Sequence, residues 1–248
     1  MKCHICDNQY EELYHCEKDW RKVYTCGSCN HMHILFIGDE VNYHAKEYRK
    51  QGGEGVKKDK FENNNLTEDF HSGRRAEICK KRVEYIKEYI EKDFLFYEVG
   101  AGAGTFAREM KKNNLISNLY VCNEVAPILI AECKRLGFDV DEKDINKIKF
   151  NQKYDIIFAW HVIEHIKDFQ PLVEKIRDNI KKYFVIEVPT NTLAMISRKK
   201  EWDGHTHYFS QQSFRMFFEK VGFEIIDIRD GIQSKADRPS ILATMRKK

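Results

Sequence analysis

No apolar run in the 248-residue chain approaches the roughly 18 residues that a membrane span needs. The opening stretch, "MKCHICDNQY", also lacks the apolar core of a secretion signal. Together these absences argue against a membrane partner and predict a cytoplasmic protein. Excess charge of one sign is missing too: 42 basic residues against 39 acidic ones leave only +3. A strong nucleic-acid binder usually carries a clearer basic excess. There is no internal repeat and no low-complexity tract. What is present is 42% hydrophobic and 12% aromatic residues, with the 33% charged residues interrupted throughout by apolar runs. That balance describes a globular protein with a well-solvated surface. The length suits one α/β domain plus a small accessory module.

Eight cysteines are distributed unevenly, and four form two matched pairs. Cys3 and Cys6 make one C-x-x-C knuckle, Cys26 and Cys29 another, with 19 residues between the pairs. Two tight turns that each present two thiolates to a tetrahedral ion have this spacing, the pattern of a zinc ribbon. Disulfides are disfavoured in a reducing cytosol, and a redox C-x-x-C does not explain the second knuckle. His15, Cys16, His31 and His33 lie close enough in sequence to substitute as ligands. Four thiolates around one Zn2+ would add about −2 and bring the chain near neutrality. A module this small buries little core, so the ion would supply its folding energy. Cys79, Cys122 and Cys133 fall within elements and read as small core residues.

Three segments are expected: a zinc-ribbon-like module over 1–38, a polar linker or lid over 39–75, and an α/β domain over 76–248. An amphipathic helix begins near Arg75, with Ile78, Val83, Ile86 and Ile90 at helical spacing. Strands are predicted at 94–99, 118–123, 154–159, 183–188, 223–229 and 241–246, with a weaker one near 138–141. Helices are predicted at 104–113, 126–136, 168–179 and 211–221. Alternation at this spacing implies a Rossmann-like, doubly wound, mostly parallel sheet of seven strands.

Within it, "FLFYEVGAGAGTF" carries Glu98 at a strand end, then Gly100, Ala101, Gly102 and Gly104. Open α/β sheets bind ligands beyond the carboxyl ends of their strands. The dinucleotide fingerprint is G-x-G-x-x-G, whereas here the spacing is G-x-G-x-G. A carboxylate beside the turn would repel a pyrophosphate, but it suits a ligand with positive charge. S-adenosyl-L-methionine brings an ammonium group and a sulfonium centre and has no phosphate. Glu124 ends the next strand, where an acid can accept from both ribose hydroxyls. Asp144, in "DEKDINKI", stands where a carboxylate can meet an adenine amino group. "YDIIFAWHVIEHIKD" follows as a buried strand.

In combination these motifs resemble the class I S-adenosylmethionine-dependent methyltransferases over roughly residues 75–248. The resemblance implies that Glu98, Gly100, Gly102 and Gly104 form the donor turn, Glu124 the ribose acid and Asp144 the adenine contact. "HTHYFSQQSFRMFFEKVGFEII" is similar to the closing segment of that family. The chain lacks the Asn/Asp-Pro-Pro-aromatic tetrad of nucleobase amino-methyltransferases, having Ala159-Trp160-His161 at the corresponding strand end. None of its four prolines precedes a cysteine, as cytosine C5 enzymes require. The resemblance therefore implies O- or N-methylation of a small molecule, such as a sugar or nucleotide-linked sugar. An rRNA or tRNA methyltransferase gripping RNA through the ribbon, with "EKDWRKVYTC" as its basic stretch, is the alternative. Zinc ribbons also precede the methyltransferase domain of deoxysugar C-methyltransferases, but 248 residues leave no room for their further C-terminal domain.

Methyl transfer to a hydroxyl or ammonium acceptor needs alignment and removal of a proton, a task suited to histidine. His161, at a strand end, and His205 and His207, in the closing loop, are the candidates. His161-Val-Ile-Glu164-His165 also matches H-x-x-E-H, an inverted peptidase motif, here set in an unrelated framework. The family resemblance offers another use for it: a divalent metal held by Glu164 and His165, with His161 in place of an acid and His205 or His207 completing the set.

Overall fold

The computed structural model describes residues 1–16, 21–36, 71–190, 205–233 and 239–248. Most of the expected linker or lid, 39–70, lies outside that set, as do the side chains of His15 and Cys16. Two compact units divide the chain. One gathers the described residues among 1–44, 161–178 and 185–248, the other those among 45–160 and 179–184.

In the second unit, helix α1 (Gly73–Ile86) precedes strand β4 (Phe96–Val99), with helix α2 (Thr105–Lys112) next. Strand β5 (Tyr120–Asn123), helix α3 (Pro127–Arg135), strand β6 (Asp139–Asp141) and strand β7 (Tyr154–Trp160) follow. β4 pairs in parallel with both β5 and β7, and β5 pairs in parallel with β6. Every residue of β4, β5 and β7 is buried, as expected of parallel strands covered on both faces. Because β4 lies between its successor β5 and the later β7, its carboxyl end is a topological switch point.

α1 buries Ala76, Cys79, Val83 and Ile86. Ile78 is only half-buried, and Ile90 leaves the stripe. The helix tightens into a 3-10 turn at Lys87–Tyr89 and Ile90 becomes extended. With three residues per turn instead of 3.6, the phase that would align Ile90 is lost. Cys79, Cys122 and Cys133 are buried, as their element positions predict. Phe106 packs edge-on to Phe158 and Trp160, with centroids 5.0 and 4.9 Å away.

The remaining large strands are β8 (Ile180–Pro189), β10 (Phe223–Asp230) and β11 (Ser240–Lys247). They complete a mostly parallel seven-stranded sheet of order β10-β11-β8-β7-β4-β5-β6, in which β10 and β11 run antiparallel. Helix α4 (Gln170–Asn179) precedes β8.

The first unit also holds a smaller antiparallel sheet. Strands β1 (Glu11–Cys16), β2 (Arg21–Thr25) and β3 (Met32–Phe36) form a meander, and β9 (His207–Tyr208) adds to β3. The N-terminal module therefore shares a sheet with the closing segment of the chain. Helix α5 (Gln211–Lys220) follows β9, capped by a reciprocal Ser210–Ser213 box. Its start and end both grip the N-terminal turns. Ser210 Oγ donates to the Cys29 carbonyl at 2.9 Å and Gln212 Nε2 to the Ser28 carbonyl at 3.1 Å. Lys220 Nζ reaches Asp7 at 2.6 Å.

Candidate functional site

All three glycines after β4 take left-handed backbone, with φ of 65° at Gly100, 59° at Gly102 and 69° at Gly104. Apart from asparagine and aspartate, other residues adopt that region only at a cost. Gly104 starts α2, and a Cβ there would meet Cys133 Sγ at 3.1 Å. A Cβ on Gly102 would meet nothing within 4 Å, so this part of the turn presents bare backbone to open space. Ala101, half-buried between them, donates its amide to the Asn123 carbonyl at 2.8 Å.

Glu124 latches the turn. One carboxylate oxygen accepts the Gly102 amide at 2.9 Å, the other the amides of Val125 and Ala126 at 2.7 and 3.0 Å. Burial pushes its pKa up, opposed by those backbone donors. Glu98 is deeper. Burial raises its carboxyl to about 8, although the Tyr120 hydroxyl, donating at 2.8 Å, and the Arg82 charge pull the other way. Arg82 lies over the Trp160 ring, 4.5 Å from its centroid. Asp144 is half-buried and caps the 3-10 turn Ile145–Lys147 by accepting the Asn146 amide at 3.0 Å. The glycine turn, Glu98, Glu124 and Asp144 all belong to one unit.

That unit also contains a buried relay that the sequence reading missed. His71 Nε2 donates to Glu132 at 2.8 Å, and its Nδ1 lies 3.0 Å from the Thr105 hydroxyl. Burial lowers the His71 pKa; against its own burial, Glu132 is held low by Arg135 and His71, giving a neutral ring on a carboxylate. Thr105 follows Gly104 directly, so this relay anchors the start of α2. No periodicity announces it, because His71 lies outside every element.

The histidine candidates fall into two groups within the other unit. His161, itself at φ 56°, sits between two fully buried acids. Its Nδ1 is 3.2 Å from Glu164 and its Nε2 3.7 Å from Glu187. Burial alone would lower its pKa, but the two carboxylates raise it to about 9. Glu187, which no motif flagged, also accepts from the Gln233 amide at 2.7 Å and the Ser240 hydroxyl at 2.9 Å. Glu164, His165 and His205 offer ligand atoms within 4.8 Å of one another. Both Glu164 carboxylate oxygens lack a hydrogen-bond partner. His205 is thus the closing-loop histidine that joins this group.

His207 does not. It is fully buried, its Nε2 bonded to the Lys167 carbonyl at 3.1 Å. Its ring lies among His4, His31 and His33, and burial, then those neighbours, push its pKa far down.

Cys3, Cys6, Cys26 and Cys29 converge with all four sulfurs within 4.8 Å of one another. Cys3 and Cys29 are 3.6 Å apart, Cys6 and Cys26 3.4 Å. A tetrahedral ion with bonds of about 2.3 Å sets sulfurs about 3.8 Å apart, so the four fit a zinc ion. The two knuckles repeat one geometry. Cys3 and Cys26 each donate a backbone amide five residues ahead, to Asn8 and His31. Asp7 and Asn30, each four residues past the first cysteine, take φ of 63° and 56° and donate back to Cys3 and Cys26. These two left-handed residues close the turns.

Comparison with known proteins adds a family. A family described as "Methyltransferase domain" matches residues 70–228, more than half the chain. A malonyl-[acyl-carrier protein] O-methyltransferase from Calditerrivibrio nitroreducens is 32% identical over 113 residues, 43% of this chain and 44% of that protein. The chain thus matches less than half the length of that relative. Among solved structures, magnesium protoporphyrin IX methyltransferase from Synechocystis PCC 6803 with bound SAH is similar in fold. Its TM-score is 0.57 at 12% identity, covering 85% of this chain and 97% of that one. An N-methyltransferase from Bradyrhizobium japonicum WM9 gives 0.52 at 16% identity, covering 69% and 97%.

Proposed function

From a chain that belongs to the methyltransferase-domain family and is an S-adenosylmethionine-dependent methyltransferase, we propose transfer to oxygen or nitrogen of a small-molecule acceptor. The observation that carries the reading is the left-handed glycine turn latched by Glu124, with open space over Gly102. The donor supplies a methyl group activated by sulfonium. The glycine turn and Ala101 would carry its amino-acid end past bare backbone, with Glu98 as the buried counter-charge. Glu124 keeps lone pairs for ribose hydroxyls beyond those its three amide bonds use, and Asp144 stands for the adenine.

On the acceptor side, His205 is the histidine best supported for taking the acceptor's proton, and His161, held protonated up to about pH 9 by its two acids, for orienting the acceptor. His207 is less supported as a base, because it is fully buried with its Nε2 engaged. The O-methyl reading gains from the name of the Calditerrivibrio relative; a sugar-linked acceptor gains nothing from the comparisons. The RNA alternative rests on "EKDWRKVYTC", of which residues 17–20 lie outside the described set. The grip of α5 on both knuckles instead favours the ribbon as a structural prop, with one Zn2+ on Cys3, Cys6, Cys26 and Cys29. The expected module boundaries, 1–38, 39–75 and 76–248, belong to this proposal as sequence segments.

A second reading is favoured by Glu164, a fully buried acid whose oxygens make no well-formed hydrogen bond and whose ion-pair partner is His161 at 3.2 Å. Glu164, His165 and His205 would hold a divalent ion that shares the buried acid with His161 and binds an acceptor oxygen.

Calorimetry with S-adenosylmethionine tests the first reading. Glu124→Ala should weaken binding by about 1.5–3 kcal/mol or more, since hydrogen bonds to a charged group and the turn are lost together. Unchanged affinity would contradict the site, and preference for NAD would overturn the proposal.

A further inference from the structure

The sequence repeats a small pattern, histidine-x-histidine, at His31-Met-His33 and at His205-Thr-His207. In the smaller sheet His33 on β3 stands directly opposite His207 on β9. Residues opposite one another on antiparallel strands are nearest neighbours on one face, and the two rings lie 4.8 Å apart. His4, beside the first knuckle, completes a triangle, its ring 4.6 Å from His33 and 5.2 Å from His207.

Three imidazoles packed in a core would be expected to satisfy their nitrogens. These do so on one side only. His207 Nε2 is bonded to the Lys167 carbonyl at 3.1 Å. The Nδ1 atoms of His33 and His207 are buried with no hydrogen-bond partner, on residues 1% and 0% exposed. His31 Nε2, in the ring stacked on His207, is a third such atom; buried polar atoms are normally paired, so three bare ones in one cluster require an explanation. A ring nitrogen bonded to a carbonyl is a donor, which makes the opposite nitrogen the one with a lone pair. Metal-bound histidines are typically held in this way, one nitrogen fixed by a backbone carbonyl and the other on the ion. His4 has a side-chain hydroxyl in place of a carbonyl: its Nδ1 is 3.4 Å from the Tyr10 hydroxyl, leaving Nε2 as the ligand. One ligand nitrogen from each of the three lies within 4.8 Å of the others.

We propose that His4, His33 and His207 form a second metal site, a three-imidazole set for a divalent transition ion of the zinc class, separate from the four cysteines. Imidazole suits Zn2+, Co2+, Ni2+ and Cu2+ rather than Mg2+ or Ca2+. Three protein ligands leave a fourth position, the arrangement of zinc sites that bind water or substrate. The half-buried His4 lines a cavity of about 240 Å3 together with Lys167, Asp168 and Phe169, so one of the three ligands is open to solvent. Nothing in the transfer reading needs this site. It also gives His207 a role that its burial denies it as a base.

Stripped full-length protein titrated with Co2+ tests the proposal. Cobalt on four thiolates shows thiolate-to-metal charge transfer, and cobalt on three imidazoles does not. Wild type should take up a second equivalent that adds d–d absorption without added charge transfer. His4→Ala should abolish that equivalent and leave the thiolate spectrum intact. His205→Ala should retain it, which separates this site from the Glu164 group. His4→Gln repeats the measurement should the alanine variant fold poorly. Absence of a charge-transfer-free equivalent in wild type, its survival in both His4 variants, or its loss in His205→Ala would each overturn the assignment.

Discussion

The Tyr120 hydroxyl donates to Glu98 at 2.8 Å and favours the carboxylate, but burial outweighs it and raises that carboxyl to about 8. An unfolded glutamate titrates near 4.3. With the folded value raised, the stability contributed by the neutral form is full below about 4.3 and is lost as pH rises through about 8. Cofactor-free protein should therefore lose stability over that window relative to Glu98→Gln. A positively charged donor favours the carboxylate, so binding should release a proton and tighten with pH by up to about tenfold per unit until about 8. Calorimetry in buffers of different ionisation enthalpy reads the proton; identical pH slopes in wild type and Glu98→Gln would remove Glu98 from the donor site.

Two glycine substitutions should separate strain from contact. Gly102→Ala and Gly104→Ala each force alanine into left-handed backbone, at about 1–2 kcal/mol. Only the Gly104 variant also crowds Cys133 Sγ, at 3.1 Å, so it should be the less stable of the two by denaturant unfolding. Gly102→Ala should instead cost more donor affinity, because its new methyl fills the space over the turn. The reverse ranking in both assays would show the donor lying elsewhere.

Metal analysis should find zinc that is lost on replacing Cys26 and Cys29 with Ser. The damage should spread beyond the knuckles, since Ser210 caps α5 while bonded to the Cys29 carbonyl and a helix N-cap contributes about 1 kcal/mol. Hydrogen exchange should quicken at residues 206–213 as well as in β2 and β3. Unchanged protection at 206–213 would mean that the ribbon unfolds as an independent body.

Turnover separates the two acceptor-side readings. Loss of a general base costs about 10²–10⁴-fold, so His205→Ala should lower turnover by that order with donor affinity preserved, while His161→Ala, which removes a cation held by two acids, should act on acceptor alignment. A divalent ion on Glu164, His165 and His205 predicts in addition that wild type loses turnover to a chelator and regains it with metal. Near-wild-type turnover in both alanine variants, without chelator sensitivity, would leave alignment alone as the source of rate.

The large sheet was legible because most of its strands are apolar runs bounded by glycine or polar turns; β6, three residues of Asp-Val-Asp, is the weak one. The predicted strand over 154–159 is observed as Tyr154–Trp160, and the helix over 211–221 as Gln211–Lys220. The glycine turn was legible because only one backbone region explains alternate glycines there. β9 was not: two residues carry no periodicity, and their partner strand is remote in sequence. For the same reason sequence could not tell that His205 and His207 go to different groups. The linker region read over 39–70 lies outside the described residues, so that expectation stands apart from this comparison.

Ser210 and Cys29, hydrogen-bonded in the folded protein, are 181 residues apart in the chain. At a synthesis rate of about 5–20 residues per second, the second knuckle leaves the ribosome roughly 10–40 s before the helix that grips it. For that interval β3 has an open edge, the kind of surface that pairs with other chains. All four cysteines have emerged by then. A zinc ion taken up at once would act as a nascent-chain clasp, holding the ribbon in register until β9 and α5 arrive. Metal supply during translation, rather than after it, would then set the yield of folded protein.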